Sequence, residues 1–315
     1  MKMGTEKTRD IIVIGGGAAG LSAAQYAARA GRSVVVIEEM AAGGQITTVD
    51  QVENYPGQAG ALSGFELGEL FEKQAVRFGA EVLYSTVNSL SKKDERFYVE
   101  TQDGTWSAPA VILATGAKHR VLGTPGEDTF TGRGVSYCAT CDGPFFRGRK
   151  ILVIGGGDSA LTEALFLAKL TDKVVLIHRK DRFRAQQNLV DMVTASPHIE
   201  VRYSHVVEKM NGDTKLTSVT FRDSSTGKVY EEPFDAVFIF VGIIPRTDLV
   251  PGVEKDDSGY IITNEKMETS MRGLYAAGDV RNTTFRQVIT AASDGAVAAH
   301  WASEYIDEVN GHSYP

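Results

Sequence analysis

Cys138 and Cys141 are the only cysteines in a chain of 315 residues, and they stand as Cys138-Ala139-Thr140-Cys141. Thiols at this spacing suit exchange with another disulfide, because the setting of a CxxC lowers a thiol pKa and raises the thiolate fraction. A structural zinc site needs four ligands, and there is neither a second CxxC nor a paired HxxxH, so no metal is expected. A secreted disulfide scaffold uses more cysteines. A lone CxxC points to redox chemistry in a reducing compartment.

The remaining composition narrows the setting. At about 150 residues per domain the length suggests two domains, with enough chain to bury a core unaided. Hydrophobic residues make up 43 % and charged residues 23 %, ordinary for a globular protein. The net charge of −7 argues against a nucleic-acid binder, which needs a phosphate-neutralising surface. The stretch Met1–Asp10 is polar, unlike a signal peptide, and no run of apolar residues is long enough to span a membrane. A cytoplasmic location is the expectation.

The elements that must position the thiols are written as a repeat. Residues 11–39 and 151–179 align without a gap at an offset of 140, and 12 of 29 positions are identical. Each copy reads as an apolar strand, a glycine turn, an amphipathic helix and a second apolar strand. This is the α/β pattern of a dinucleotide-binding fold whose parallel sheet is buried on both faces. Gly15 and Gly155 permit the tight strand-to-helix turn, and Gly17 and Gly157 admit a pyrophosphate close to backbone amides. Gly20 and Ala160 allow helix to pack on strand. The helix N-terminus carries a partial positive charge toward the phosphates.

The copies differ where the second strand ends. The first closes on Glu38, a carboxylate suited to ribose hydroxyls, as in FAD or NAD. The second closes on His178-Arg179, with Lys180 and Arg184 following, a basic set suited to the 2′-phosphate of NADPH. A solvated helix start is the plainer reading of the basic run. A second echo pairs residues 110–116 with 236–242, each an apolar strand ending on glycine. These are natural crossing points, so residues 118–245 are expected to form an NADPH-binding domain inserted into an FAD-binding domain made of 1–117 and 246–315. In the tail, Leu274–Ala276 reads as a strand ahead of the loop acid Asp279. An alanine-rich helix is expected from Arg286-Gln287 to about Glu308. Turns are expected at Asn211-Gly212-Asp213 and Ser224–Gly227. His119 and the other histidines outside the repeat read as surface or satisfied residues.

Two dinucleotide folds, Cys138-Ala139-Thr140-Cys141-Asp142-Gly143 and Ala277-Gly278-Asp279 together resemble the low-molecular-weight bacterial thioredoxin reductases over roughly residues 10–308. Gly43-Gly44-Gln45, Glu53-Asn54-Tyr55-Pro56-Gly57 and Arg286-Gln287 carry the likeness further. Glutathione-reductase-like relatives keep their cysteine pair in the FAD domain, whereas here Cys141 stands 14 residues ahead of Gly155. The resemblance implies that Gly15, Gly17, Gly20 and Glu38 hold the FAD pyrophosphate and ribose. Gly43, Gly44, Gln45 and Asn54 line the flavin end, Asp279 binds the ribityl or phosphate portion, and Arg286 and Gln287 close the site. For NADPH, Gly155, Gly157, Asp158 and Ser159 cradle phosphates, while His178, Arg179 and Arg184 read the 2′-phosphate. Lys180, Gly242-Ile243-Ile244-Pro245-Arg246 and Ser293-Asp294 depart from the usual pattern.

The implied reaction is reduction of the disulfide of thioredoxin or a similar protein. Cys138 attacks the substrate, Cys141 faces the flavin, and Asp142 protonates a leaving thiolate. A turn-forming Asp before Gly143-Pro144 is the plainer reading of Asp142. The resemblance also implies a homodimer. Phe145, Phe146, Phe183 and Tyr137 read mainly as core or rim residues, and a docking face is the alternative for Phe145 and Phe146 beside the cysteines. A dithiol oxidase, or a flavin-binding redox sensor, is the alternative; neither needs the basic set at His178, Arg179 and Arg184. Replacing Arg179 and Arg184 with Ala is expected to raise the Michaelis constant for NADPH at least tenfold and leave that for NADH nearly unchanged. Each lost charge-assisted bond to phosphate costs about 1.5–3 kcal/mol. Steady-state kinetics with both nucleotides check this, and equal use of the two by the unmodified protein refutes it.

Overall fold

The run Ile11-Ile12-Val13-Ile14 offers no polar position, so the strand it forms must be covered on both faces. In the computed structural model, which describes residues 6–49, 52, 54–60 and 62–312, it is the centre of a five-stranded parallel sheet. The strand order is Leu274–Ala276, Ala110–Leu113, Ile11–Ile14, Val34–Glu38, Glu81–Tyr84. Ile11 and Val13 face the helices Ala18–Arg29 and Val288–Val309 through Ala23, Ala27, Ala298 and Ala302. Ile12 and Ile14 face the other way, onto Phe97, Val99 and Trp106 of an antiparallel sheet. Alternation along one strand thus builds two cores, as a period of two requires. Met1–Thr5 of the polar N-terminal stretch, and Glu53 of the Glu53–Gly57 motif, lie outside the described residues.

The second copy folds by the same rule. Its parallel sheet runs Val135–Ser136, Ala236–Phe240, Ile151–Gly155, Val174–Ile177, Ile199–Arg202. Ile151 and Val153 pack on the helix Asp158–Leu167 through Ala160, Leu161 and Ala164. Leu152 and Ile154 pack on Met210, Val219 and Phe221 of the antiparallel strands His205–Gly212, Leu216–Asp223 and Val229–Pro233. The second break, Ser224–Lys228, takes in the expected turn, whereas the first falls at Asp213–Lys215, later than expected, because Asn211 and Gly212 still pair within the strand His205–Gly212. The fifth strand of each sheet comes from a different part of the chain. Leu274–Ala276 comes after its sheet's other strands, whereas Val135–Ser136 precedes them and runs directly toward Cys138.

The chain divides into two compact units, residues 1–118 with 244–315, and residues 119–243. Where it passes between them, the short strands Ala117–His119 and Ile243–Pro245 pair with one another. The closing helix begins two residues later than the sequence suggests. Gln287 is its N-cap, in a reciprocal capping arrangement with Thr290, so Arg286 precedes the helix.

In the second unit one half-buried ionic cluster ties the antiparallel strands to the parallel sheet. Glu232 accepts from Arg202 and Lys150, each at 2.6 Å. The Arg202 guanidinium, with Lys150 behind it, holds the Glu232 carboxyl at about 2, against the rise that its burial alone would cause. A carboxyl depressed on folding adds stability that is complete above its unfolded pKa, about 4.3, and is lost as pH falls toward the folded value. Glu232→Gln is expected to cost about 1–3 kcal/mol at pH 7, where it leaves two cations under-paired. Thermal melts at pH 7 and at pH 3 check this: the gap between variant and parent narrows at the lower pH, and a gap that widens there refutes it.

Candidate cofactor turns and redox pair

The first turn is set by close approach of backbone to backbone. A Cβ on Gly20 would stand 1.8 Å from the Gly15 carbonyl oxygen, and one on Gly15 would stand 2.4 Å from that of Ala114. Gly15 also takes a φ of +104°, which side chains disfavour. Gly17 then caps the helix Ala18–Arg29, with no side chain bonded to the cap and no acid in the first turn. The positive end of the helix is left for an anion. Gly43 donates its N–H to Gly16 O at 2.7 Å, and Gly43-Gly44, both at positive φ, lie against the Gly17 backbone. Glu38 accepts the N–H of Gly16 at 2.6 Å and that of Met40 at 2.9 Å, which brings the carboxylate to the turn.

Other expected residues meet in the same unit. Asn54 donates to Gln287 Oε1 at 3.0 Å, joining two of them directly. Gln45 donates to the Ala117 carbonyl. Burial pushes the Asp279 carboxyl up; Arg286 pulls against that, and Asp294 adds to it. Arg286 lays its guanidinium over the Tyr260 ring at 4.1 Å, while its buried Nε has no hydrogen-bond partner. A buried donor without an acceptor is costly unless a ligand supplies one. The uncapped helix end, the side-chain-free cradle and the orphaned Arg286 Nε all fit a dinucleotide such as FAD. Asp294, one of the departures, forms an ion pair with Arg281 at 3.0 Å and accepts the Gly278 N–H. The sequence carried no spacing signal for that pair or for Tyr260.

The second turn differs from its copy in one physical detail. Gly155 has no positive φ, so the tight turn is not what requires glycine there. A Cβ would instead stand 2.5 Å from both the Ala160 methyl and the Phe240 carbonyl oxygen. Ala160 fills the space that Gly20 leaves open. His178 occupies the place of Glu38, its ring 2.3 Å from where a Gly156 Cβ would be. Burial, then Arg179, Arg184 and Lys180, push the His178 imidazole below its usual range. Arg184 lies alongside Gly157, its N–H donated to Gly156 O at 2.8 Å. Arg179, Arg184 and Ser159 are exposed. Asp158 is engaged by Gln186 N and Nε2 at 2.8 and 2.9 Å and is held below the usual range by those bonds. Its side chain thus anchors the segment that carries Arg184. The helix end uncapped at Gly157 and the cluster of cations beside it fit a phosphorylated nucleotide such as NADPH.

The thiols form the Cys138–Cys141 disulfide at the end of the strand Val135–Ser136. Both residues are half-buried; Cys138 caps and Cys141 lies in one short helical turn, Ala139–Asp142, whose Ala139 is fully buried against the helix Asp158–Leu167. Cys141 donates its N–H to Cys138 Sγ at 3.2 Å, and Thr140 Oγ1 lies 3.4 Å from the same sulfur. Ser136, which sequence reasoning missed, is buried and bonds to Asp142 Oδ2 at 2.6 Å. On the other side Tyr137 stacks on His119, with centroids 5.0 Å apart, and donates to the buried Glu127 at 2.7 Å. Phe145 is exposed, while Phe146 packs edge-on against Phe238. Among the described residues no cluster of His, Cys, Asp or Glu could hold a metal ion.

Two cofactor turns and one dithiol define a class. The family model of pyridine nucleotide-disulphide oxidoreductases matches residues 9–295, and the chain belongs to that family. Within it the chain is one of the thioredoxin reductases. It is 53 % identical over 302 residues to the thioredoxin reductase of Treponema pallidum, covering 96 % of this chain and 98 % of that one. It is 42 % identical to that of Listeria innocua, covering 96 % of each. The crystal structure of the thioredoxin reductase of Streptococcus pyogenes superposes with a TM-score of 0.90 at 42 % identity, over 96 % of this chain and all of that one.

Because no third thiol exists, Cys138→Ser and Cys141→Ser are each expected to abolish disulfide reduction while flavin stays bound. Cys141→Ser should still trap a substrate as a mixed disulfide through Cys138. Activity, the visible spectrum and intact mass check the three parts. Full activity in either variant refutes the assignment.

Proposed function

We propose that the chain is an NADPH-dependent flavoprotein reducing the disulfide of thioredoxin or a thioredoxin-like protein through Cys138 and Cys141. The observation that carries this is the pairing of a lone disulfide with two dinucleotide turns of opposite charge, Glu38 at one and His178 with Arg179 and Arg184 at the other. FAD and NADPH, when bound, supply the hydride and the path by which two electrons reach the disulfide. Gly15, Gly17, Gly20, Glu38, Gly43, Gly44, Gln45, Asn54, Asp279, Arg286 and Gln287 hold the flavin nucleotide. Gly155, Gly157, Ser159, His178, Arg179 and Arg184 hold NADPH, with Asp158 fixing the Arg184 segment. Cys138 attacks the substrate disulfide, Cys141 resolves the mixed disulfide, and Asp142 protonates the leaving thiolate.

The dithiol and the NADPH turn both belong to residues 119–243, yet both serve one flavin. We infer that this unit, the NADPH-binding domain, turns as a body on the paired segments Ala117–His119 and Ile243–Pro245, presenting each in alternation. The FAD-binding domain, residues 1–118 and 244–315, carries an exposed apolar group that suits a second copy of the chain. Tyr26, Phe65, Leu70, Val76, Phe78 and Tyr84 are exposed there, and Arg29 lies over the rings of both Tyr26 and Phe78. A lone CxxC suits a reducing cytoplasm as its setting; among the described residues no helix is long and apolar enough to cross a membrane. The purified protein is expected to be yellow and to oxidise NADPH rapidly only when a thioredoxin is added. NADPH oxidation at the same rate without any disulfide substrate would favour the dithiol oxidase. A cross-link between the units should permit one half-reaction and block turnover; normal cycling of the locked enzyme refutes the motion.

A further inference from the structure

Ser136 is the last residue of its strand, buried, and placed between two functional groups of the redox turn. Its Oγ accepts the N–H of Cys138 at 3.1 Å. The same oxygen lies 2.6 Å from Asp142 Oδ2 and 3.3 Å from the Cys138 carbonyl oxygen. A hydroxyl has one hydrogen to donate, so it serves one of these two acceptors at a time. The Cys138 carbonyl already accepts the Asp142 N–H at 3.1 Å, and its second lone pair remains for the serine.

We propose that Ser136 is a positioning residue for Asp142, holding its carboxyl beside the dithiol in both protonation states by turning one O–H between Asp142 Oδ2 and the Cys138 carbonyl. The inference rests on Asp142 being the proton donor in the exchange. The reduced turn carries a Cys138 thiolate, a Cys141 thiol and a protonated Asp142. In that state the Asp142 carboxyl donates to Ser136 Oγ, whose hydrogen points to the Cys138 carbonyl. The Cys138 thiolate attacks the substrate disulfide, forming one S–S bond and breaking another, and the leaving sulfur takes the Asp142 proton. Ser136 then turns its O–H onto the new carboxylate. Cys141 attacks Cys138 Sγ, its proton passing to the second leaving sulfur. Two protons and two electrons have moved to the substrate, and the turn is left as a disulfide with an ionised Asp142. The 2.6 Å contact in the disulfide structure matches this final state, in which serine donates to carboxylate.

Other ionisable groups stand close by. Tyr137, on the same turn, is tied to Glu127 and stacked on His119. The helix Asp158–Leu167, against which the turn packs, carries Glu163, whose carboxyl burial pushes up and whose Oε2 has no partner. Asp158 at its start is bonded to Gln186. The strand Ala236–Phe240, beside Val135–Ser136, carries no ionisable side chain.

The test is the pH profile of thioredoxin reduction by the FAD-loaded enzyme. Activity that needs a protonated Asp142 falls on an alkaline limb. Ser136→Ala removes the donor to the carboxylate, and the limb is expected to move up by about one pH unit, a tenfold change in the ionisation constant. Turnover below the limb should drop several-fold, with bound flavin and the rate of flavin reduction by NADPH unchanged. Ser136→Thr, which keeps the hydroxyl, should return the limb to its place. The proposal is overturned if the limb stays put in Ser136→Ala, or moves equally in Ser136→Thr, or instead follows Glu163→Gln. Asp142→Asn separates the underlying assignment: loss of the limb with loss of turnover supports Asp142 as donor, and normal turnover with the limb intact removes it. Ser136→Ala without a shift, beside an inactive Asp142→Asn, overturns the role of Ser136 alone.

Discussion

The approach of one peptide to another at the end of each central strand governs the geometry of both copies of the repeat. At Gly20 the gap to the Gly15 carbonyl leaves no room for a single carbon. Both partners are main chain, so no rotamer change can relieve a collision there. The contact fixes how steeply the helix leaves the strand, and so where its uncapped amides point. It also seats the helix on the sheet closely enough for the alanines of Ala18–Arg29 to reach the strands. Cofactor site and core packing are therefore one constraint, and loss of the first would loosen the second.

The copies meet this constraint differently. Glu38 accepts one hydrogen bond from the Gly16 N–H and one from the Met40 N–H. His178 covers the matching Gly156 with its ring, and burial, then the cations around it, disfavour its protonation. A phosphate at this turn would offset those cations and leave the burial in place.

The strands, their buried faces, both glycine turns and the adjacent cysteines were legible because each rests on local periodicity or on neighbouring residues. The opening of the last helix was read two residues early, since a glutamine cap with Thr290 leaves little trace in composition. The role of glycine at position 155 was read by analogy with Gly15. The different reason lies in the Ala160 methyl and in the Phe240 carbonyl, the latter 85 positions away in sequence. Ser136, Gln186, Tyr260 and the Arg281–Asp294 pair were not legible. Each acts through a partner that the fold brings near, and a serine at a strand end or an aspartate in a helix looks the same whether or not that partner exists.

The fifth strand of each sheet has a meaning beyond closing an edge. Leu274–Ala276 leads to Asp279, and Val135–Ser136, at the matching place in its own sheet, leads to Cys138. Doubling a nucleotide fold duplicates every slot in it, including one for which the second copy has no obligatory use. Here the vacant slot is filled from the front of the segment rather than the back, so the reactive sulfurs arrive on a strand separate from the glycine turn. The sulfurs and the glycine turn thus sit on separate strands and meet through Ala139, which packs on the helix Asp158–Leu167.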